Sequence, residues 1–234
     1  MFKLDFNLYG FIILISFLLG ILVIVNNSYD KKYSKVDTLI LVIYIIIGFI
    51  FGGKIYTYIS SNQETFNLLK LGLSSLGSLI GSFIMITIYK FQFKKKIKDL
   101  LYILVPAVIL MYAVGKIGCF FTGCCLGLKY TGIGHVFYKY STHVTANYSY
   151  FPIQLIESIV FLGIFIYIYF IKKNSKYDIY KLMIVCFSVK FVLDFFRLDH
   201  ETIFISFNQI TCLIFIIIIC LFLYLNKRKS LHKH

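Results

Sequence analysis

Apolar residues fall along this chain in seven runs, each close to the roughly 20 residues a helix needs to cross the hydrocarbon of a bilayer. They lie at about 8–25, 39–59, 66–90, 100–118, 153–171, 179–196 and 203–225. The third is diluted by Gly72, Ser74, Ser75, Gly77, Ser78, Gly81 and Ser82. A face of small residues suits close helix packing in lipid or the lining of a cavity. The first run is followed by Asn26-Asn27-Ser28-Tyr29, with no small-residue cleavage site, so it is expected to stay as a span. The pattern predicts an all-α, polytopic membrane protein of about seven transmembrane helices in one integral membrane domain, residues 1–234. There is no sign of a soluble domain, an internal repeat or a linker.

Composition agrees. The 234 residues are 59% hydrophobic with only two prolines, and the mean hydropathy is +0.84. Trp is absent, so Tyr must serve any interfacial belt. A net charge of +14 would suggest nucleic acid in a soluble protein. Here no nucleic-acid partner is expected, because the lysines sit in loops. One set of loops holds Lys31, Lys32, Lys35, Lys94, Lys95, Lys96, Lys98, Lys172, Lys173, Lys176, Lys227, Arg228, Lys229 and Lys233. The other holds Lys3, Lys129, Lys139 and Arg197. Positive loops stay in the cytoplasm, which predicts an outside N-terminus and a cytoplasmic C-terminus. An odd number of spans agrees, since it puts the two termini on opposite sides. The longest loop, 119–150, is then extracytoplasmic, and long loops are often functional.

The polar residues inside the runs converge on that outer side. Lys54 follows Gly52-Gly53 near the outer end of the second span, and Lys116 ends the fourth. Gln154 and Glu157, three apart, share a face at the start of the fifth. Lys190, Asp194 and Arg197 make one stripe on the sixth. Charges near a headgroup region can snorkel. Lys190 and Asp194 lie deeper, where charged groups pair or face a cavity. A surplus of cations in a cavity is what an anionic phospholipid headgroup needs.

The stretch Gly115 to Gly127, G-K-I-G-C-F-F-T-G-C-C-L-G, packs four glycines, one lysine and three cysteines into the end of the fourth span and the start of the loop. Cys119, Cys124 and Cys125 admit three readings: small buried residues, a disulfide in an oxidising exterior, or metal binding or nucleophilic thiol chemistry with His135 or His143 nearby. The spacing C-x4-C-C matches no zinc pattern, and no metal is expected. Cys186, Cys212 and Cys220 read as core residues.

That stretch resembles the prolipoprotein diacylglyceryl transferase signature G-R-x-G-N-F-x-N-x-E-x-x-G, with Gly115, Gly118, Phe120 and Gly127 matching. Phe151 to Glu157 (F-P-I-Q-L-I-E) is similar to the family's H-P-S-Q-L-Y-E. Lys190 to Asp199 (K-F-V-L-D-F-F-R-L-D) resembles R-x-x-x-E-F-x-R-x-x-D, and Gly72 to Gly81 resembles S-x-H-G-G-L-x-G. The resemblance covers most of the chain with no motif intact. Lys116 and Lys190 stand at arginines, Cys119 and Thr122 at asparagines, Cys124 at a glutamate, Asp194 at a glutamate, and Leu76 and Phe151 at histidines, while Arg197 is retained.

The resemblance implies a multi-pass enzyme of a bacterial cytoplasmic membrane, acting at the outer face. Its reaction moves the diacylglyceryl group of phosphatidylglycerol to the cysteine thiol in a prolipoprotein signal peptide and releases glycerol-1-phosphate. No cofactor is implied. Glu157, Asp194 and Arg197 become the candidate catalytic residues. Lys116, Lys190, Gln154, Lys54, Gly115, Gly118 and Gly127 become the candidate substrate-binding ones. Glu157, Asp194 or the loop's His135 would have to supply the base. The alternatives are a related transferase with another acceptor, a non-catalytic lipid-binding protein of the same fold and a transporter, the last disfavoured by cations gathered at one face.

Overall fold

Ser34 and Asp37 cap each other's backbone: Asp37 N donates to Ser34 Oγ at 3.0 Å and Ser34 N to Asp37 Oδ2 at 3.4 Å. This reciprocal cap satisfies donors that a helix start leaves orphaned, and it starts α2 at Lys35, before the apolar run itself begins. The same device recurs at the last helix, where Ser206 N donates to Gln209 Oε1 at 3.0 Å and Gln209 N to Ser206 Oγ at 3.1 Å. It holds the start of α7 to Phe207, later than the apolar pattern suggests.

The computed structural model describes residues 8–60, 75–138, 148–171 and 178–231. The helices are α1 (Leu8–Asp30), α2 (Lys35–Ser60), α3 (Ser75–Gln92), α4 (Ile97–Thr122), α5 (Ile153–Ile166, continued by a π-helical turn Tyr167–Ile171), α6 (Ile179–Asp194) and α7 (Phe207–Leu231). A two-stranded antiparallel ribbon, β1 (Val136–Phe137) and β2 (Ser149–Tyr150), closes part of the loop before α5. Lys3, the start of the third span with Gly72 and Ser74, and Lys139, His143 and Asn147 lie outside the described residues, as do Lys172, Lys173, Lys176, Lys233 and the side chains of Leu76 and Lys229.

The protein is all-α and polytopic. Five helices, α1, α2, α4, α5 and α7, are long and apolar enough to cross a membrane. Among the described residues α3 has 18 residues diluted by small polar ones, and α6 has 16 interrupted by Lys181, Lys190 and Asp194. The apolar exterior follows from the solvent. Leu14, Leu18 and Leu22 of α1 are each more than half exposed, an arrangement that water would penalise and lipid does not.

Contacts divide the chain into two units. One holds residues 21–104, the other 1–20 and 105–234. In the first, α2 and α3 approach through glycine. A Cβ added at Gly48, Gly52, Gly77 or Gly81 would fall inside 3.0 Å of the facing backbone. Gly52→Val is therefore expected to force these helices apart at a cost of about 1–3 kcal/mol or more. A lowered melting temperature of the detergent-purified protein, with Leu22→Val as the lipid-facing control, is the measurement. An unchanged melt would show that the contact is dispensable.

In the second unit, α4, α5, α6 and α7 surround buried residues such as Ile109, Ala113, Ile153 and Phe161. The C-terminal ends of α4 and α6 and the N-terminal end of α5 carry the charged residues of this unit's interior, and the start of α7 adds the buried polar Ser206 and Gln209.

Candidate active site

Glu157, one turn into α5, has no exposed surface, and each of its oxygens meets a cation. Lys116 Nζ of α4 lies 2.7 Å from Oε2, Lys190 Nζ of α6 lies 2.5 Å from Oε1, and Arg197 Nη2 lies 3.5 Å from Oε2. A charge this deep must be paired. Asp194 sits beside it, also with no exposed surface. Lys190 is 3.3 Å from its Oδ1 and Arg197 Nε 3.2 Å from the same oxygen. Ser206 Oγ donates to its Oδ2, and Asn208 Nδ2 to its Oδ1 at 3.5 Å. Three cations thus surround two carboxylates, leaving a surplus of one positive charge in a low-dielectric setting.

The scaffold explains the placement. α4 ends on Gly123, whose φ of +66° suits the left-handed residue that terminates a helix. Gly123 N donates to Phe120 O, and Cys124 N to Cys119 O, the paired bonds of a Schellman turn. The chain then runs alongside the end of α6. Leu128 N donates to Phe196 O at 2.9 Å and Leu198 N to Leu126 O at 3.0 Å, with Gly127 bridged to Arg197. Gly127 is required here because a Cβ would fall inside 3.0 Å of Phe151 O.

Of the candidates named from sequence, Lys116, Glu157, Lys190, Asp194 and Arg197 meet in one cluster. Gln154 is buried next to it and tied at both ends: its Nε2 donates to Cys124 O at 2.8 Å, and its Oε1 accepts from Tyr138 Oη at 3.3 Å. Gly118 packs against Tyr9 and Ile12 of α1, whereas a Cβ at Gly115 would find only Ile13 at an ordinary 3.7 Å. Lys54 belongs to α2, in the other unit. His135 is exposed, with Nδ1 2.9 Å from Gly132 O and its ring against Phe137.

The structure adds groups that the sequence reading did not single out. Tyr112 lies one turn before Lys116, and the Nζ atoms of Lys116 and Lys190 sit 5.2 and 5.7 Å from its ring centre. Its spacing from Lys116, four residues, was the available signal. His200 Nε2 stands 3.8 Å from Asp194 Oδ2. Ser206 could have been found from the S-x-x-Q capping pattern it makes with Gln209, whereas no pattern marks Asn208. Cys119, Cys124 and Cys125 bring their sulfurs within 4.8 Å of one another, and all are free thiols.

Lys129 and Glu201 clasp the loop to the turn after α6, with Nζ 2.9 Å from Oε2. That hydrogen bond holds the Glu201 carboxyl below its ordinary 4.5 and the Lys129 ammonium above its ordinary 10.5. The clasp is therefore complete between those two values. It weakens as pH falls through the lowered Glu201 value, and again as pH rises through the raised Lys129 value. A lower amide protection factor at residues 127–130 in acid, taken against the intrinsic exchange rate at the same pH and matched at neutral pH by Glu201→Gln, is the expected result. Exchange that ignores both would remove the clasp.

A buried cluster of paired charges among helices whose outer surface suits lipid marks an integral-membrane protein. The chain belongs to the prolipoprotein diacylglyceryl transferase family, whose model matches residues 1–225. It is 28% identical over 200 residues to a phosphatidylglycerol–prolipoprotein diacylglyceryl transferase of Clostridium tetani, covering 82% of this chain and 80% of that protein. A second such transferase, from Clostridium perfringens, is 27% identical over 202 residues, 82% of this chain and 78% of that one. One from Dehalococcoides mccartyi is 33% identical over 109 residues, 46% of this chain and 42% of its own length.

Proposed function

We propose that this chain transfers the diacylglyceryl group of phosphatidylglycerol to the cysteine thiol of a prolipoprotein signal peptide. The observation that carries the reading is the convergence of Lys116, Lys190 and Arg197 on one buried carboxylate. In this reaction a carbon–oxygen bond breaks and charge grows on the departing glycerol phosphate. Preset cations in a dry site are the strongest single aid to such a departure. Lys116, Lys190 and Arg197 hold the phosphate, and Glu157 and Asp194 orient them. Lys in place of Arg at 116 and 190 keeps the charge and gives up the bidentate fork. That leaves Arg197 as the one group of the three able to grip two phosphate oxygens at once.

The site faces the outer leaflet of a bacterial cytoplasmic membrane, with the N-terminus outside and the C-terminus inside. The distribution of lysines among the loops supports this orientation.

The test uses the detergent-purified chain, labelled phosphatidylglycerol and a peptide containing a lipobox cysteine. Labelled thioether on the peptide and released glycerol phosphate are expected, together with rescue of cells depleted of their own transferase. Label on another lipid or peptide would point to a different acceptor. Lipid binding that Lys116→Ala and Arg197→Ala both weaken, with no product from the unmutated chain, would mark a non-catalytic binder.

A further inference from the structure

The acceptor thiol must lose a proton before it can attack, and the carboxylates near the cations are poorly placed to take it. Glu157 is engaged by three cations. Asp194 is engaged by Lys190, Arg197, Ser206 and Asn208. His135 is exposed and turned to Gly132 O.

The three thiols lie beside this cluster. Cys119 is three residues beyond Lys116 on α4, so the two share a helix face. Gln154, one turn before Glu157, donates to Cys124 O. The Schellman turn at Gly123 folds Cys124 back onto the turn that carries Cys119. Cys125 follows with φ +53°, a left-handed conformation that a non-glycine residue rarely adopts. Strain of this kind persists where surrounding structure demands it.

The sulfurs lie within 4.8 Å of one another. Around a zinc ion with bonds of about 2.3 Å, tetrahedral thiolates stand about 3.8 Å apart, so a small side-chain rotation closes the set. Cys119 and Cys124 are half-buried and Cys125 is exposed, which leaves an approach for a further ligand. Three protein ligands with one open position is the pattern of a reactive zinc site. Zinc with three thiolates carries one net negative charge, matching the single surplus positive charge of the neighbouring cations and carboxylates.

We propose that Cys119, Cys124 and Cys125 form a trithiolate zinc site whose fourth position takes the acceptor cysteine. The role rests on the reaction proposed above. A thiol that binds zinc is deprotonated outright. The acceptor thiol releases its proton to solvent as its sulfur takes the fourth position. That sulfur attacks the glyceryl carbon bearing the phosphate ester. The carbon–oxygen bond breaks, its electron pair leaves on the phosphate oxygen beside Lys116, Lys190 and Arg197, and the thioether dissociates from the metal. No oxidant or reductant is consumed.

The test starts with full-length protein purified reduced and metal-free in detergent, then titrated with zinc or cobalt(II). One zinc per chain and an intense near-ultraviolet thiolate-to-cobalt band are expected. Cys125→Ser, at an exposed position that spares folding, should weaken binding by more than the roughly 10–100-fold that loss of an outer-shell partner costs. Cys119→Ser and Cys124→Ser should do the same, and Cys186→Ser should leave binding intact. A lipobox-cysteine peptide should shift the cobalt band, and its serine analogue should not.

The site is overturned by absence of the band, by zinc uptake unchanged in the triple serine variant, or by a disulfide within the trio in anaerobically purified protein. Transfer at full rate by metal-free protein overturns the role in catalysis and leaves the reaction standing. Zinc binding with the peptide shift but no transfer supports the site and overturns the reaction.

Discussion

Glu157→Gln is expected to lose transfer activity and to destabilise the protein by about 3–5 kcal/mol, the cost of removing one partner from a buried ion pair. The substitution keeps the shape and removes the charge. Lys116, Lys190 and Arg197 then face one another without the carboxylate that now lies 2.7, 2.5 and 3.5 Å from them. None can retreat to water easily. Lys116 is 6% exposed and Arg197 8%. Against the 5–15 kcal/mol that holds a typical domain together, this loss is large.

The experiment that isolates the cause is a double-mutant cycle. Adding Lys190→Met to Glu157→Gln removes one repelling cation, and coupling within such a network reaches about 0.5–3 kcal/mol. Stability should recover in part in the double variant while transfer stays lost. A Glu157→Gln protein with an unchanged melt would show that the carboxylate does not organise the cations.

Much of this architecture is visible in the chain because lipid imposes a strong pattern. A span must be apolar along its length, so α1, α2, α4, α5 and α7 stand out. The intramembrane charges stand out for the same reason, and Lys190, Asp194 and Arg197 reveal their shared face by spacing alone. Helix ends are harder, since they depend on single capping bonds. Ser34 draws α2 back to Lys35 and Ser206 holds α7 to Phe207, and neither residue alters the hydropathy. Contacts between distant segments carry no periodic signal at all. Gly127 looks like part of a binding motif, but in space it clears room for Phe151 O while its backbone pairs with Arg197. The thiols of Cys119, Cys124 and Cys125 match no spacing rule. They meet because a left-handed residue at Gly123 reverses the chain.

Arg197→Lys should separate binding of the lipid from its chemistry. The backbone around Arg197 is fixed by Leu128 N to Phe196 O, Leu198 N to Leu126 O and its own N–H to Asp194 O at 3.0 Å. Its guanidinium is held loosely by comparison. Nη2 reaches Glu157 only at 3.5 Å, and Nε, 3.2 Å from Asp194, finds no directed hydrogen bond among the described residues. Five donors on a planar fork are thus anchored in direction and largely unspent, and a phosphate offers the acceptors that fit them. Lysine keeps the charge that draws the headgroup in and loses the fork. If the fork acts on the charge that develops as glycerol phosphate departs, kcat and kcat/KM should fall together by about 10²–10³. The melting temperature should barely move, because the bonds given up are long. A rise in KM at constant kcat would instead assign Arg197 to ground-state binding alone. Full turnover by the lysine variant would remove it from the reaction, leaving Lys116 and Lys190 to carry the departing charge.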